Sequence, residues 1–418
     1  MSKNEITDKE IQLILEEIKN TLIVNKQMLA ELLTENTLKP IRFSNREVQR
    51  CIDILEDGKG FVKWNVLKSG GVDDPDKQLF WREKRIPLGN VLGLTPFSSP
   101  YSSFIHKFAN SFICKNTFYF KPSMYALDCS KKIFELVKES IGSKYREVLQ
   151  LIELDDNSME SQMNYDLYDC ILFTGKSETA RRIKSKIKNK KAVFETGSSA
   201  MTYISAYADL ELAAENIARG AFDQNGMRCV GAKNVFIHSK VFNKFLDEVI
   251  DLVNNLNCGD IFQESTDIGP LRKDLLPGLK AIIHDLIDHG YIPMAGGQIK
   301  RDILMPTILY DDNTGYLSTM EAFGPILCIH KVESIDDIPC EYFKRSSLSS
   351  AIYSDSLTET NKWISLSSTC SNIYINHGPT ERFDYLPFGG FEDENDGKEG
   401  FWNLYNLLTK EQIIYQRI

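Results

Sequence analysis

The chain lacks the short signatures that mark most metal and nucleotide sites. It has no CxxC pair, no HExxH, no GxGxxG after its first strand-like run and no GxxxxGK[ST]. The first two absences remove the spacings by which thiolates or imidazoles chelate zinc, and the last two remove the usual glycine-rich phosphate loops. Of the six histidines, His284 and His289 are five apart, so they do not share a helix face as two ligands four apart would. No metal is expected. No apolar run approaches the roughly 20 residues needed to cross a bilayer. The first residues, Met1-Ser2-Lys3-Asn4-Glu5, are polar and show no secretory leader. A net charge of -9 argues against binding nucleic acid or an anionic membrane surface. Nine cysteines, an odd and dispersed set, suit a reducing cytoplasm better than a disulfide framework. What remains is an ordinary globular composition, 42% hydrophobic and 26% charged, over 418 residues. That is length enough for two or three domains, with a small molecule as the expected partner.

Along the chain, Ile11, Leu15, Ile18, Leu22, Leu29 and Leu32 fall at helical spacing, which predicts one amphipathic helix from about Asp8 to Leu33. Gly70-Gly71 and Asp73-Asp74-Pro75-Asp76 mark a turn between two short extended pieces, a hairpin near 66–85. From Ile86 onward strands and helices alternate. Strands are expected at Ile86 to Thr95, Thr117 to Phe120, Val148 to Leu154, Cys170 to Phe173 and Ala192 to Phe194. Helices are expected at Tyr101 to Ile113, Leu127 to Ser140 and Glu178 to Ile187. That succession implies an α/β fold with a doubly wound parallel sheet, which binds ligands beyond the carboxyl ends of its strands. A second α/β block follows from about Gly197 to Asn376. The final Gln412-Ile413-Ile414-Tyr415-Gln416-Arg417-Ile418 reads as a terminal strand.

Cys229 is the most informative residue. It closes Phe222-Asp223-Gln224-Asn225-Gly226-Met227-Arg228-Cys229, after an alanine-rich helical run from Asp209 to Ala221 and before the strand-like Asn234-Val235-Phe236-Ile237-His238. A helix that breaks at Asn-Gly and presents a cysteine beside a cation can favour thiolate over thiol. The plain alternative is a packed free cysteine like any other.

Several separated segments, taken in order, resemble the aldehyde dehydrogenase superfamily over roughly residues 80 to 418. They are Thr95-Pro96-Phe97-Ser98-Ser99-Pro100, Phe120-Lys121-Pro122-Ser123, Phe173-Thr174-Gly175-Lys176-Ser177, Phe194-Glu195-Thr196-Gly197, Gly226-Met227-Arg228-Cys229, Glu321-Ala322-Phe323-Gly324-Pro325 and Pro387-Phe388-Gly389-Gly390. The resemblance implies a cofactor domain over 1–196 and a catalytic domain over 197–376. Residues 377–418 would return to the cofactor domain and add a terminal oligomerisation strand, with the 66–85 hairpin in the same extension. It also implies NAD or NADP as cofactor, a small aldehyde as substrate and a homodimer or homotetramer as assembly.

The implied roles suit the residue types. Cys229 would add to the aldehyde as nucleophile, splitting one hard step into two through a thiohemiacetal and a thioester. Glu195 would activate the hydrolytic water. Ser98 stands where the family has the asparagine of the oxyanion loop, so that hole is either weaker or completed by Ser99. Lys121 and Ser123 would meet the cofactor ribose, and Glu321 and Phe323 the nicotinamide ribose and ring. Gly175 would admit the pyrophosphate to a helix start, where Lys176 would either touch phosphate or point to solvent. Met124 replaces the acid that often favours NAD, which removes one barrier to NADP. Arg228, next to the nucleophile, resembles members acting on phosphorylated or carboxylated aldehydes, because its planar fork suits such anions. The alternative for Arg228 is a pairing within the protein.

Two other functions stay open at the sequence level. One is a relative that passes the acyl group to CoA instead of water, and the presence of Glu195 opposes it. The other is a catalytically weak homologue kept for binding or assembly, to which Ser98 and the acidic Phe391 to Asp396 segment lend some support.

Overall fold

The computed structural model of the protein describes residues 6–64, 69–71, 79–156, 158–197, 200–311, 322–344, 347–391 and 396–417. Two parallel sheets organise it. The first runs Leu149–Leu151, Thr117–Lys121, Asn90–Leu94, Cys170–Thr174, Lys191–Glu195, every neighbour parallel. The chain enters at the middle strand, steps outward twice, then crosses back to the other side. A topological switch point therefore lies between Asn90–Leu94 and Cys170–Thr174, and ligands of such sheets bind at that place. The sheet is covered by helices Pro100–Ile113, Leu127–Ser140 and Ser177–Lys186. Its strands are apolar on both faces because both faces are covered. At Gly93 a side chain would lie 2.1 Å from the Phe118 ring, so glycine here lets that ring cross the sheet.

The second sheet runs Tyr291–Ala295, Thr307–Asp311, Ile326–Val332, Asn234–His238, Met201–Ile204, Ser347–Tyr353, Cys370–Ile375. Only its first pair is antiparallel. The two sheets thus divide the chain between Glu195 and Met201. A third, antiparallel sheet joins Ser69–Gly71, Leu79–Pro87 and Thr409–Arg417.

The structure departs from the sequence reading in five places. The helix expected from Asp8 to Leu33 is two, Asp8–Val24 and Lys26–Thr37. They break at Asn25, whose side-chain amide donates to the Thr21 carbonyl at 2.8 Å and so competes with the helical ladder. The expected strand Ile86 to Thr95 is also two, Leu79–Pro87 and Asn90–Leu94, in different sheets. Gly89 makes the break at φ +137°, with the Asp169 carboxylate where a side chain would stand. The strand expected over Val148 to Leu154 shrinks to Leu149–Leu151, the sheet edge with a partner on one side only. The terminal strand begins earlier, at Thr409, and the expected turn at Asp73 to Asp76 and Ile418 lie outside the described residues.

The fifth departure is a helix the sequence reading did not anticipate, Ile41–Trp64, the longest among the described residues. Its Val48, Cys51, Ile52, Leu55 and Val62 join the core against helix Pro100–Ile113. Buried Glu47, paired with Lys39, accepts from the backbone N–H groups of Tyr101 (2.9 Å) and Ser102 (3.1 Å). It thereby caps the helix that follows Ser98, since the first N–H groups of a helix have no partner of their own.

Candidate active site

Helix Leu210–Phe222 starts under an Asp209 cap and stops at Phe222. Three successive left-handed residues follow: Gln224 (φ 57°), Asn225 (φ 60°) and Gly226 (φ 69°). Side chains hold this costly turn in place. Asn225, fully buried, accepts from Gly269 N at 2.8 Å and donates to Leu38 O at 3.2 Å. Lys233 donates to Gly226 O at 2.9 Å and Gly324 O at 3.4 Å. At Gly226 a Cβ would lie 2.2 Å from Gly324 O, so no side chain fits. The turn delivers Cys229, half-buried, against Val230, Leu348 and Phe388.

Glu195 ends its strand buried, and its Oε1 lies 3.9 Å from Cys229 Sγ. Below it lies a closed set of charges. Thr174 Oγ1 donates to Glu195 Oε2 at 3.2 Å, and Lys107 Nζ donates to Thr174 Oγ1 at 2.7 Å and Glu399 Oε1 at 2.6 Å. Arg382 donates from one guanidinium nitrogen to Glu195 Oε1 at 3.1 Å and from another to Glu399 Oε2 at 2.7 Å. Its Nε stands 3.1 Å from Asp384, which also takes the Arg50 fork at 2.7 and 3.0 Å. The Arg382 guanidinium lies over the Phe388 ring, 4.0 Å from its centroid.

Burial raises the Glu195 carboxyl above its ordinary range and nearby Glu399 adds to it, while Arg382, Lys107 and Arg50 pull the other way. Burial would also raise Glu399, yet Lys107, His106 and Arg382 together hold it well below the usual carboxylate range. Of the two coupled acids, Glu195 is therefore the better proton acceptor. Burial holds His106 neutral, its pKa lowered to about 4.

The sequence-predicted residues fall into three groups. Cys229 and Glu195 meet, although they come from different sheets. Ser98, Lys121 and Gly175 lie at or just beyond the carboxyl ends of three neighbouring strands at the switch point. Ser98 is half-buried. Lys121 is buried with its ammonium against Asp156, which also accepts from Met124 N at 3.4 Å. Asp156 lies in the segment that follows the edge strand Leu149–Leu151. Helix Ser177–Lys186 opens at Lys176 with no side-chain cap, leaving its first N–H groups free for an anion. Lys176 itself is exposed and Ser123 half-buried. Phe323 packs edge-on to Phe97, 6.4 Å between centroids, and Arg272 stacks on Phe97 and Tyr125. An open helix start, a buried lysine and an aromatic wall form a fitting cradle for a dinucleotide. Glu321 lies outside the described residues.

Arg228 donates to Thr380 O at 2.8 Å, and among the described residues no carboxylate comes within 4 Å of it. Burial holds its guanidinium below the usual arginine range, with Asp223 the chief opposing influence. Asp223 itself pairs with Arg46 at 3.4 Å and Arg42 at 4.0 Å.

Sequence reasoning missed Lys107, Thr174, Arg382, Asp384 and Glu399. As the one Asp, Glu, Lys or Arg of helix Pro100–Ile113, Lys107 was a readable signal. Asp384 is two positions from Arg382, but nothing local marks the role, because the two acids that accept its hydrogen bonds, Glu195 and Glu399, lie 187 and 17 positions away. Among the described residues no group of three or more His, Cys, Asp or Glu side chains could hold a metal, and no helix is long and apolar enough to cross a membrane.

Comparison with known proteins concerns the family and the fold. The sequence profile described as "Aldehyde dehydrogenase family" matches residues 3–413. A 3-sulfolactaldehyde dehydrogenase of Priestia aryabhattai is 25% identical over 421 residues, covering 99% of this chain and 87% of its own length. A glyceraldehyde-3-phosphate dehydrogenase of Methanocaldococcus jannaschii, solved with NADP, superposes with TM-score 0.93 at 23% identity over 100% of this chain and 91% of that one. The NADP-dependent glyceraldehyde-3-phosphate dehydrogenase of Bacillus halodurans gives 0.90 at 25% identity, over 99% and 88%.

Proposed function

The chain belongs to the aldehyde dehydrogenase family, NAD(P)-dependent enzymes that oxidise an aldehyde to a carboxylic acid, and we propose that it does so through Cys229 and Glu195 on a small aldehyde bearing a second, anionic group. The observation that carries the chemistry is the 3.9 Å separation of Cys229 Sγ and Glu195 Oε1.

The Cys229 thiolate adds to the aldehyde carbon, forming a C–S bond and placing the electron pair on oxygen. The backbone N–H of Cys229, with Ser98, faces that oxygen. When bound, a nicotinamide cofactor supplies the two-electron acceptor that turns the adduct into a thioester. Lys121 with Ser123 and Asp156 would hold the cofactor ribose, Phe323 and Glu321 the nicotinamide end, and the open start of helix Ser177–Lys186 at Gly175 and Lys176 the pyrophosphate. Glu195 then takes a proton from water, the new C–O bond forms, the C–S bond breaks, and the thiolate returns to Cys229.

Arg228 supports the anionic substrate. A half-buried guanidinium that gives one N–H to a carbonyl keeps further donors for an incoming anion. The named substrates of two relatives, 3-sulfolactaldehyde and glyceraldehyde-3-phosphate, carry a sulfonate and a phosphate. The unpaired edge of the terminal strand Thr409–Arg417, with Ile413 and Tyr415 exposed, is where we propose that a second copy adds. The domain division follows the sheets, with the break between Glu195 and Met201.

The test is NAD(P)H formation with sulfonated, phosphorylated and neutral aldehydes of similar length, wild type against Cys229→Ala. Turnover strongest on the anionic members and lost in the variant is expected. Turnover only with added CoA, or none on any aldehyde while cofactor still binds, would overturn the hydrolytic reading.

A further inference from the structure

Arg382 touches the same oxygen of Glu195 that faces Cys229. We propose that Arg382 is a positioning residue for deacylation, a buried clasp that holds the Glu195 carboxylate ionised and aimed at the thioester. This rests on the reading of Glu195 as the base.

The charge inventory makes the argument. Facing Glu195 from every element packed around it are Arg382, Lys107 beneath Thr174, Glu399, Cys229 and, one shell out, Arg50, Asp384 and His106. With His106 neutral, the three carboxylates Glu195, Asp384 and Glu399 face the three cations Arg50, Lys107 and Arg382. Of these cations only Arg382 reaches all three acids: it donates hydrogen bonds to Glu195 at 3.1 Å and Glu399 at 2.7 Å, and its Nε lies 3.1 Å from Asp384 as a charge contact without a hydrogen bond. A lysine could not do this, because its point charge lacks the planar fork that serves several oxygens at once.

The arrangement also explains how the base is released. Both Glu195 oxygens are engaged, Oε2 by Thr174 and Oε1 by Arg382. When Oε1 accepts a proton from water, Glu195 becomes neutral and its hold on Arg382 weakens. Arg382 keeps Asp384 and Glu399, so the proton is taken up without stranding a buried cation. Before that step the same cation opposes the burial that raises the Glu195 carboxyl.

The experiment uses a p-nitrophenyl ester, which acylates the cysteine without cofactor. The burst of nitrophenolate reports acylation, and the steady phase reports hydrolysis of the acyl-enzyme. Arg382→Met should keep the burst within about twofold and move the acid limb of the steady rate up by roughly one to two pH units. Arg382→Lys, the variant more certain to fold, should shift the limb less and slow hydrolysis about tenfold at neutral pH. Wild-type hydrolysis and an unmoved limb in Arg382→Lys would overturn the proposal, as would equal, pH-independent losses of burst and steady phase in both variants. Glu195→Gln separates the two ideas. If it hydrolyses the acyl-enzyme like wild type, Glu195 is not the base. If it stalls after the burst while the Arg382 variants leave the limb in place, the base stands and the clasp falls.

Discussion

Lys107 and Glu399, 292 positions apart, meet at 2.6 Å with both side chains almost wholly buried. This pair ties the helix after the Ser98 loop to the segment after the closing Pro387-Phe388-Gly389-Gly390 signature, directly under Glu195. Removing one partner of a buried pair leaves the other charge without compensation, at a cost of about 3–5 kcal/mol. Lys107→Met is therefore expected to lower the urea midpoint clearly. An unchanged midpoint would mean that Arg382 alone satisfies Glu399.

Thiol labelling should separate reactivity from exposure. Cys340 is exposed, Cys229 and Cys258 are half-buried, and the other six are buried. Iodoacetamide should modify both Cys229 and Cys340, with activity falling in step with Cys229 alone. Mass mapping that shows full activity after complete Cys229 alkylation would remove it as nucleophile.

Arg228→Met should raise KM for a sulfonated or phosphorylated aldehyde about tenfold or more, the value of a charge-assisted hydrogen bond of roughly 1.5–3 kcal/mol. Neutral aldehydes of the same length should be nearly unaffected. Equal losses on both kinds of substrate would assign Arg228 to holding Thr380 and the loop.

His106 should make the protein acid-sensitive. Its folded pKa of about 4 lies below the unfolded 6.5, so the unfolded chain binds the proton more readily. Stability is full above pH 6.5 and is lost as pH falls toward 4, by about 3 kcal/mol in all. His106→Phe removes the titration, and its melting temperature should fall less than wild type between pH 7 and 5. Parallel curves for the two proteins would place the acid sensitivity elsewhere.

Gly226→Ala should damage the site without touching a reacting group. The left-handed φ costs on the order of 1 kcal/mol or more for a residue with a Cβ, and the overlap with Gly324 O adds to it. Slower iodoacetamide labelling of Cys229 together with lower activity is expected. Wild-type labelling and turnover would show that the loop shifts freely.

The sequence by itself determined what depends on local order along the chain. Alternating apolar runs and helix-forming stretches placed the parallel strands Thr117–Lys121, Cys170–Thr174 and Lys191–Glu195 within a residue or so, while the edge strand Leu149–Leu151 came out shorter than expected. The helix-breaking Asn225-Gly226 marked the turn before Cys229, because left-handed backbone favours those residues wherever they occur. The tertiary structure decided what depends on desolvation and on groups far apart in the chain. Gly89 splits an apparently continuous strand because Asp169 fills the space beside it, and Asp156 reaches Lys121 from a neighbouring strand end. The clasp of Arg382 on Glu195 forms only when folding strips water from three acids and three cations together. Charges that would be screened and indifferent along an extended chain then become one coupled group, since burial raises both the cost of an unpaired charge and the strength of each pairing.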